Sequence, residues 1–192
     1  MYRKLANYFW RCTEILCCKI KILGEIYEKI IGEEYKKETK IFDVSKSKNI
    51  LHIGCGRYPI TALTLVKNYN ANIVAIDRDP EVVRSAIQIV NDKKLSDKIA
   101  VRVGDGTIYP IKDFDTIIVS SCSTPKIKIL EHIFKTSKPN NKIIIRELKW
   151  ETKAINDFID SNDDVLLVKK IDNYSFPYFR WSSFYCMKKY LF

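Results

Sequence analysis

The sequence predicts an α/β fold, a mostly parallel sheet with helices on both faces. Three observations carry this. Short apolar runs at 50–53, 72–77, 99–103, 115–120 and 142–147 alternate with longer segments of helical period. The first run enters Gly54-Cys-Gly56, and the second ends on Asp77, 21 residues beyond Gly56. A strand-turn-helix-strand unit of this kind holds a nucleoside, because glycines let the backbone approach the ligand and the acid accepts from ribose hydroxyls. Finally, Pro80 stands where a helix begins, with Asp79 before it as N-cap.

Taken in order, strand 50–53 leads through the glycine turn to a helix over 59–69 and strand 72–77. The helix from Pro80 runs to about Asn91, and strands at 99–103 and 115–120 follow. A helix from Pro125 to Thr136 ends before the turn signal Lys138-Pro139-Asn140-Asn141, and Lys142–Glu147 forms the fifth strand. A helix near 151–160 leads to the run 164–171, and the pattern from Arg180 to Tyr190 suits an antiparallel neighbour. Upstream, Leu5, Phe9, Cys12, Leu16, Ile20, Leu23, Tyr27 and Ile30 recur at three- and four-residue steps. They predict one apolar stripe on an amphipathic helix, ended or divided at Gly32 or Gly24. Packing on the body or a homodimer through this helix is expected; Glu14, Glu25 and Glu28 oppose a membrane-surface role. The division expected is a helical extension, 1–48, and a nucleoside-binding domain, 49–192.

At 192 residues and 46% hydrophobic, the chain suits one globular domain. No apolar run reaches the roughly 18 uncharged residues of a membrane helix, and no signal-peptide pattern opens the chain, so a cytoplasmic protein without membrane association is expected. The net charge of +10 is concentrated at the ends: residues 1–48 hold 11 basic and 7 acidic side chains, and residues 165–192 hold 5 and 1. Basic ends suit an anionic partner, RNA or a carboxylate-rich small molecule, against the plainer reading of a lysine-rich surface. Six cysteines form no Cys-x-x-Cys pair and only two histidines exist, so no metal site is expected.

The glycine turn narrows the nucleoside. Position 59, where a dinucleotide fingerprint has its third glycine, is Pro59, which has no N–H for a pyrophosphate. No Gly-x-x-x-x-Gly-Lys-Ser/Thr loop is present. A nucleoside without phosphates, such as S-adenosylmethionine, loses little. Ile99–Val103 ends in Gly104-Asp105-Gly106, where an acid between glycines suits an adenine amino group, and Phe114–Ser121 supplies a strand apolar enough to be buried on both faces.

Gly54-x-Gly56, Asp77, Asp105 and that fourth strand, at these spacings, resemble the class I S-adenosylmethionine-dependent methyltransferases over roughly residues 48–190. The resemblance implies a Rossmann-like three-layer sandwich with a seven-stranded sheet closed by a C-terminal antiparallel hairpin, preceded by N-terminal helices that serve as a substrate lid or a dimer contact. Gly54-Cys-Gly-Arg-Tyr-Pro59-Ile-Thr61 is also similar to the glycine turn of the nicotianamine synthase family, which transfers the aminocarboxypropyl arm instead of the methyl group. Ile76-Asp77-Arg78-Asp79 lacks that family's tyrosine at the second strand tip.

The expected cofactor ligands are therefore Gly54, Cys55, Gly56, Tyr58, Asp77, Arg78, Gly104, Asp105, Gly106 and Ser120. His52 and Glu147, near strand ends, are the candidate bases, each set against a structural role. The expectation is methyl transfer from S-adenosylmethionine to an unidentified, small-molecule acceptor. The alternatives left open are aminocarboxypropyl transfer and a non-catalytic module binding RNA or a protein.

Overall fold

A computed structural model describes residues 2–175 and 179–189. Seven strands form one sheet: β1 (Asn49–Ile53), β2 (Asn72–Asp77), β3 (Ile99–Val103), β4 (Thr116–Val119), β5 (Lys142–Leu148), β6 (Val165–Ser175) and β7 (Phe179–Lys188). Their spatial order is β3-β2-β1-β4-β5-β7-β6. The first five pair in parallel, and β7 runs antiparallel to both β5 and β6, so the closing hairpin is present. Of the aromatic-dense stretch 174–181, Tyr174 and Ser175 end β6 and residues 179–181 begin β7, while Phe176, Pro177 and Tyr178 lie outside the described residues.

Strand parity sorts the core into two layers. Ile50, Ala75, Ile118 and Ile144 point to one face, where they meet Ile31, Leu63 and Val90 of α2 (Lys21–Ile41), α3 (Ile60–Asn68) and α4 (Pro80–Asp92). Leu51, Ile117, Val119, Ile143 and Ile145 point to the other, against α5 (Lys126–Thr136) and α6 (Lys153–Asp160). The helix starts follow local chemistry: Asp79 caps α4 by accepting from the Glu81 amide at 2.9 Å, with Pro80 at the first position.

The N-terminal region is helical and divided, as expected, but the break falls at neither Gly24 nor Gly32. It is a hairpin of two helices, α1 (Tyr2–Lys19) and α2, broken at Ile20, whose backbone is extended (φ −121°, ψ 102°). Gly24 does not break a helix; it lets α2 start close to its neighbours. A Cβ there would lie 2.8 Å from the Tyr58 hydroxyl and 3.0 Å from the Cys17 carbonyl. The predicted stripe is also turned around. Leu5, Phe9, Leu16, Ile20, Leu23 and Ile30 are exposed, while Ala6, Cys17 and Ile31 are buried. Periodicity located a helical face correctly but could not tell which way it points.

The hairpin is fixed to the sheet by a buried ion pair. Arg146 of β5 sits 2% exposed beneath α2, where Glu38 is 0% exposed. Arg146 Nε donates to Glu38 Oε1 at 3.0 Å and Nη2 to the same oxygen at 2.7 Å, while Nη1 donates to Thr61 of α3 at 2.7 Å. Tyr35 lies over the guanidinium at 3.6 Å, and Ser183 of β7 donates to the other Glu38 oxygen. Burial opposes the arginine's charge, but the Glu38 carboxylate more than offsets it and the guanidinium pKa is raised.

Breaking such a pair leaves a buried charge without its partner, at a cost of ~3–5 kcal/mol, whereas replacing both members with apolar groups is far milder. Arg146→Met alone should therefore lower the urea midpoint sharply. The double variant Arg146→Met with Glu38→Leu should recover more than half of that loss; if it is no more stable than Arg146→Met, the pair is not what holds the hairpin.

Candidate functional site

Strand order reverses between β1 and β4, and the cleft opens there, outside the carboxyl ends of the strands. It encloses about 360 Å³. One half is built from the β1, β2 and β3 exits. Gly54 and Gly56 hold φ of +78° and +70°, conformations that favour glycine. The turn is tied to the second strand: the Gly54 and Cys55 amides donate to the Ile76 carbonyl at 2.9 and 3.0 Å, and the Gly56 amide donates to Asp77 Oδ2 at 3.2 Å. Asp77 Oδ1 accepts from the Asp79 amide, so the carboxylate is held at the strand tip facing the turn. Asp105, beyond β3, accepts from the Thr107 amide and hydroxyl at 2.8 Å each, and these bonds hold its carboxyl below the usual range. Arg78 reaches across to the Thr124 hydroxyl at 3.3 Å.

Of the ten expected cofactor ligands, Gly54, Cys55, Gly56, Asp77, Arg78, Gly104, Asp105, Gly106 and Ser120 line this cleft. Tyr58 does not. It is buried, and its hydroxyl donates to Glu28 of α2 at 2.5 Å, so it anchors the hairpin instead of touching the cleft. Glu147 does not either. Parity turns it to the opposite face from Arg146, toward α5, where its carboxylate lies 3.9 Å from the buried Lys126 ammonium and accepts from the Leu148 amide at 2.9 Å. The expectation that Glu147 serves as base is corrected on this ground.

His52 does line the cleft, beneath Ser120, whose hydroxyl is 2.8 Å from Nε2. Burial, with the Arg146 charge adding to it, pushes the imidazole down to about 3. At that value the ring is neutral at physiological pH and a weak base. Its Nδ1 is buried without a partner.

Sequence reading missed Glu14. It comes from α1, 43 residues before the Arg57 amide that donates to its Oε2 at 2.8 Å. Its carboxylate stands over the turn, where a Cβ on Gly56 would run into it. Burial, with the Asp77 charge adding to it and the Arg57 amide opposing it, raises the carboxyl to about 7. Cys18 of the same helix donates to the Arg57 carbonyl at 3.5 Å. Around Glu14 the second half of the cleft is walled by Trp10, Tyr27 and Tyr35 from the hairpin and by Cys122, Leu148 and Trp181 from the sheet. No sequence signal could have flagged Glu14 beyond its being an acid on the inner side of the helix.

The family model described as "Methyltransferase domain" matches residues 44–176. Among curated proteins the chain is similar to norajmaline N-methyltransferase of Rauvolfia serpentina, 31% identical over 66% of this chain and 44% of that protein. It is also similar to L-histidine 2-aminobutanoyltransferase of Yersinia pestis, 25% identical over 62% of this chain and 45% of that protein. The chain thus spans less than half the length of these relatives. Among solved structures, a variant of MtNAS in complex with S-adenosylmethionine superposes with a TM-score of 0.78 at 17% identity, over 97% of this chain and 76% of that one. The mitomycin 7-O-methyltransferase MmcR superposes with a TM-score of 0.65 at 12% identity, over 92% and 60%. With two thirds of its length matched by the family model and the sheet order and turn described above, the chain belongs to the methyltransferase domain family, on the class I S-adenosylmethionine-dependent fold.

Proposed function

We propose that the chain is an S-adenosylmethionine-dependent transferase that acts on an amine nitrogen of a small molecule, with Glu14 as the base. The carrying observation is the placement of Glu14: a carboxylate raised to about 7, facing the glycine turn from the roof of the cleft. Such a group both attracts an ammonium and takes its proton near neutral pH. The other groups in the acceptor half suit the role less: His52, held at about 3, is a weak base, and burial pushes the Cys122 thiol up, which keeps it protonated at neutral pH.

The residues present fit the cofactor. Two carboxylates, Asp77 and Asp105, and a turn opened by two positive-φ glycines surround a cleft of about 360 Å³, the size that takes a small nucleoside derivative. Asp77 would accept from ribose hydroxyls and Asp105 from the adenine amino group. When bound, S-adenosylmethionine supplies a sulfonium whose attached carbons are electrophilic. The chain supplies the rest: Glu14 receives the acceptor's proton, and Trp10, Tyr27 and Tyr35 limit water. A small acceptor suits this walled cleft, and the similarity to a small-molecule N-methyltransferase supports a nitrogen target.

Aminocarboxypropyl transfer is the second reading, favoured by the similarity to L-histidine 2-aminobutanoyltransferase; the MtNAS superposition, which takes in 97% of this chain, agrees with it at the level of fold. The by-product separates the readings, S-adenosylhomocysteine for methyl transfer and methylthioadenosine for the other, read by chromatography of a single-turnover mixture with small amines.

Asp77→Ala should weaken calorimetric binding of S-adenosylmethionine and S-adenosylhomocysteine at least tenfold, as loss of charge-assisted hydrogen bonds worth ~1.5–3 kcal/mol requires. Unchanged affinity would remove Asp77 from the cofactor site.

Glu14→Gln tests the base. A basic carboxylate makes kcat/KM rise with pH through about 7. The glutamine variant should lose that limb and most of its kcat. Stability should move oppositely. A carboxyl whose folded pKa lies above the unfolded 4.5 costs stability as pH rises from 4.5 through 7. Glu14→Gln, which keeps an acceptor for the Arg57 amide, should therefore melt a few degrees higher than wild type at pH ~8 and match it near pH ~5. A variant that keeps the wild-type pH–rate limb would sink the assignment.

A further inference from the structure

The outer face of the α1–α2 hairpin is apolar. Between residues 5 and 30, nine large apolar side chains are 36% exposed or more. Their exposures run from 36% at Leu23 to 68% at Tyr8, and large apolar side chains grouped on one exposed face mark an interaction surface. The face has relief. Phe9, Leu16, Leu23, Ile26 and Ile30 line a groove of about 230 Å³ between the two helices. Beside it Leu5, Tyr8 and Ile22 protrude, 67%, 68% and 67% exposed.

We infer that this face is the contact between two copies of the chain, the knobs of each entering the groove of the other. A twofold contact needs one patch that carries both halves of the fit, and this patch does. A concave groove suits a protruding side chain better than the plane of a bilayer. Of the three glutamates read from sequence as opposing surface attachment, Glu25 is exposed on α2 and the other two bear less on this face than expected. Glu14 is in the cleft, and Glu28 is engaged by Tyr58, Lys67 and Lys93 on the body side. No helix among the described residues is long and apolar enough to cross a membrane. Since α1 carries Glu14 and Trp10 on its inner side, the copy pressed on its outer side would hold the cleft roof in place.

Sedimentation velocity at tens of micromolar protein tests this directly. Wild type should run at twice its 22.5 kDa chain mass. Ile26→Lys in the groove and Tyr8→Lys on the knob should each weaken association at least a hundredfold, with circular dichroism unchanged because both sites are exposed. A monomeric wild type, or variants that remain dimeric, would overturn the inference. So would a wild type that is monomeric alone and floats with phosphatidylglycerol vesicles while Ile26→Lys does not, an outcome that assigns the face to lipid.

Discussion

The buried pair of Arg146 and Glu38 is the constraint on which the architecture of the cleft depends. One guanidinium joins α2, α3 and β5, and the Ser183 hydroxyl brings β7 into the same cluster. Two fully buried charges are costly to desolvate, and here the cost is met by saturation: the carboxylate accepts from two side chains and the guanidinium has partners at Nε, Nη1 and Nη2. The geometry of that network fixes the height and rotation of α2 over the sheet. Because α1 returns along α2 after a single extended residue, the same network sets where Glu14 and Trp10 enter the cleft. Its position also conditions the floor, since the Arg146 charge helps keep His52 neutral.

The cofactor half rests on a different constraint, the reversal of strand order between β1 and β4. That reversal leaves a gap above the strand tips which side chains do not fill, so the tips of β1, β2 and β3 all point into one space. The glycine turn remains open because its two positive-φ residues carry no Cβ, and Asp77 is held facing it by backbone amides rather than by other side chains. A carboxylate oriented by amides needs no cation beside it and remains available to neutral hydroxyl donors.

Much of this was legible in sequence, and the parts that were not share a cause. All seven strands were located, five as short apolar runs bounded by turn residues and two as a closing pair, although β6 is long and mostly exposed. Asp79 and Pro80 marked α4 because capping is local chemistry. The turn and Asp77 belong to one crossover unit, β1-α3-β2, and Asp105 to the next, β2-α4-β3, and all of them line the same cleft. The failures are all questions of direction or distance. Glu147 lies one residue from Arg146, and the pleat alone sends one to the hairpin and the other to α5. Tyr58 sits within the glycine turn, yet its ring follows Glu28, 30 residues upstream. The α1 stripe has the right period, but its polar side, bearing Glu14, turned inward, since a functional cleft accepts what a core refuses.

That inversion links the two halves of the molecule's behaviour. A carboxyl raised to about 7 shows that the fold holds Glu14 where water solvates it poorly and where Asp77 repels it. Such placement works against stability, and α1 has little apolar burial to offset it, since much of its apolar surface faces out. Only Ala6 and Cys17 of its described apolar residues are buried. A helix that spends its inner face on chemistry must find its packing on the outer one. The exposed apolar face and the poorly solvated carboxylate are therefore not separate oddities. The two lie on opposite sides of one helix, so a second copy docked as proposed would cover the first and hold the second in place.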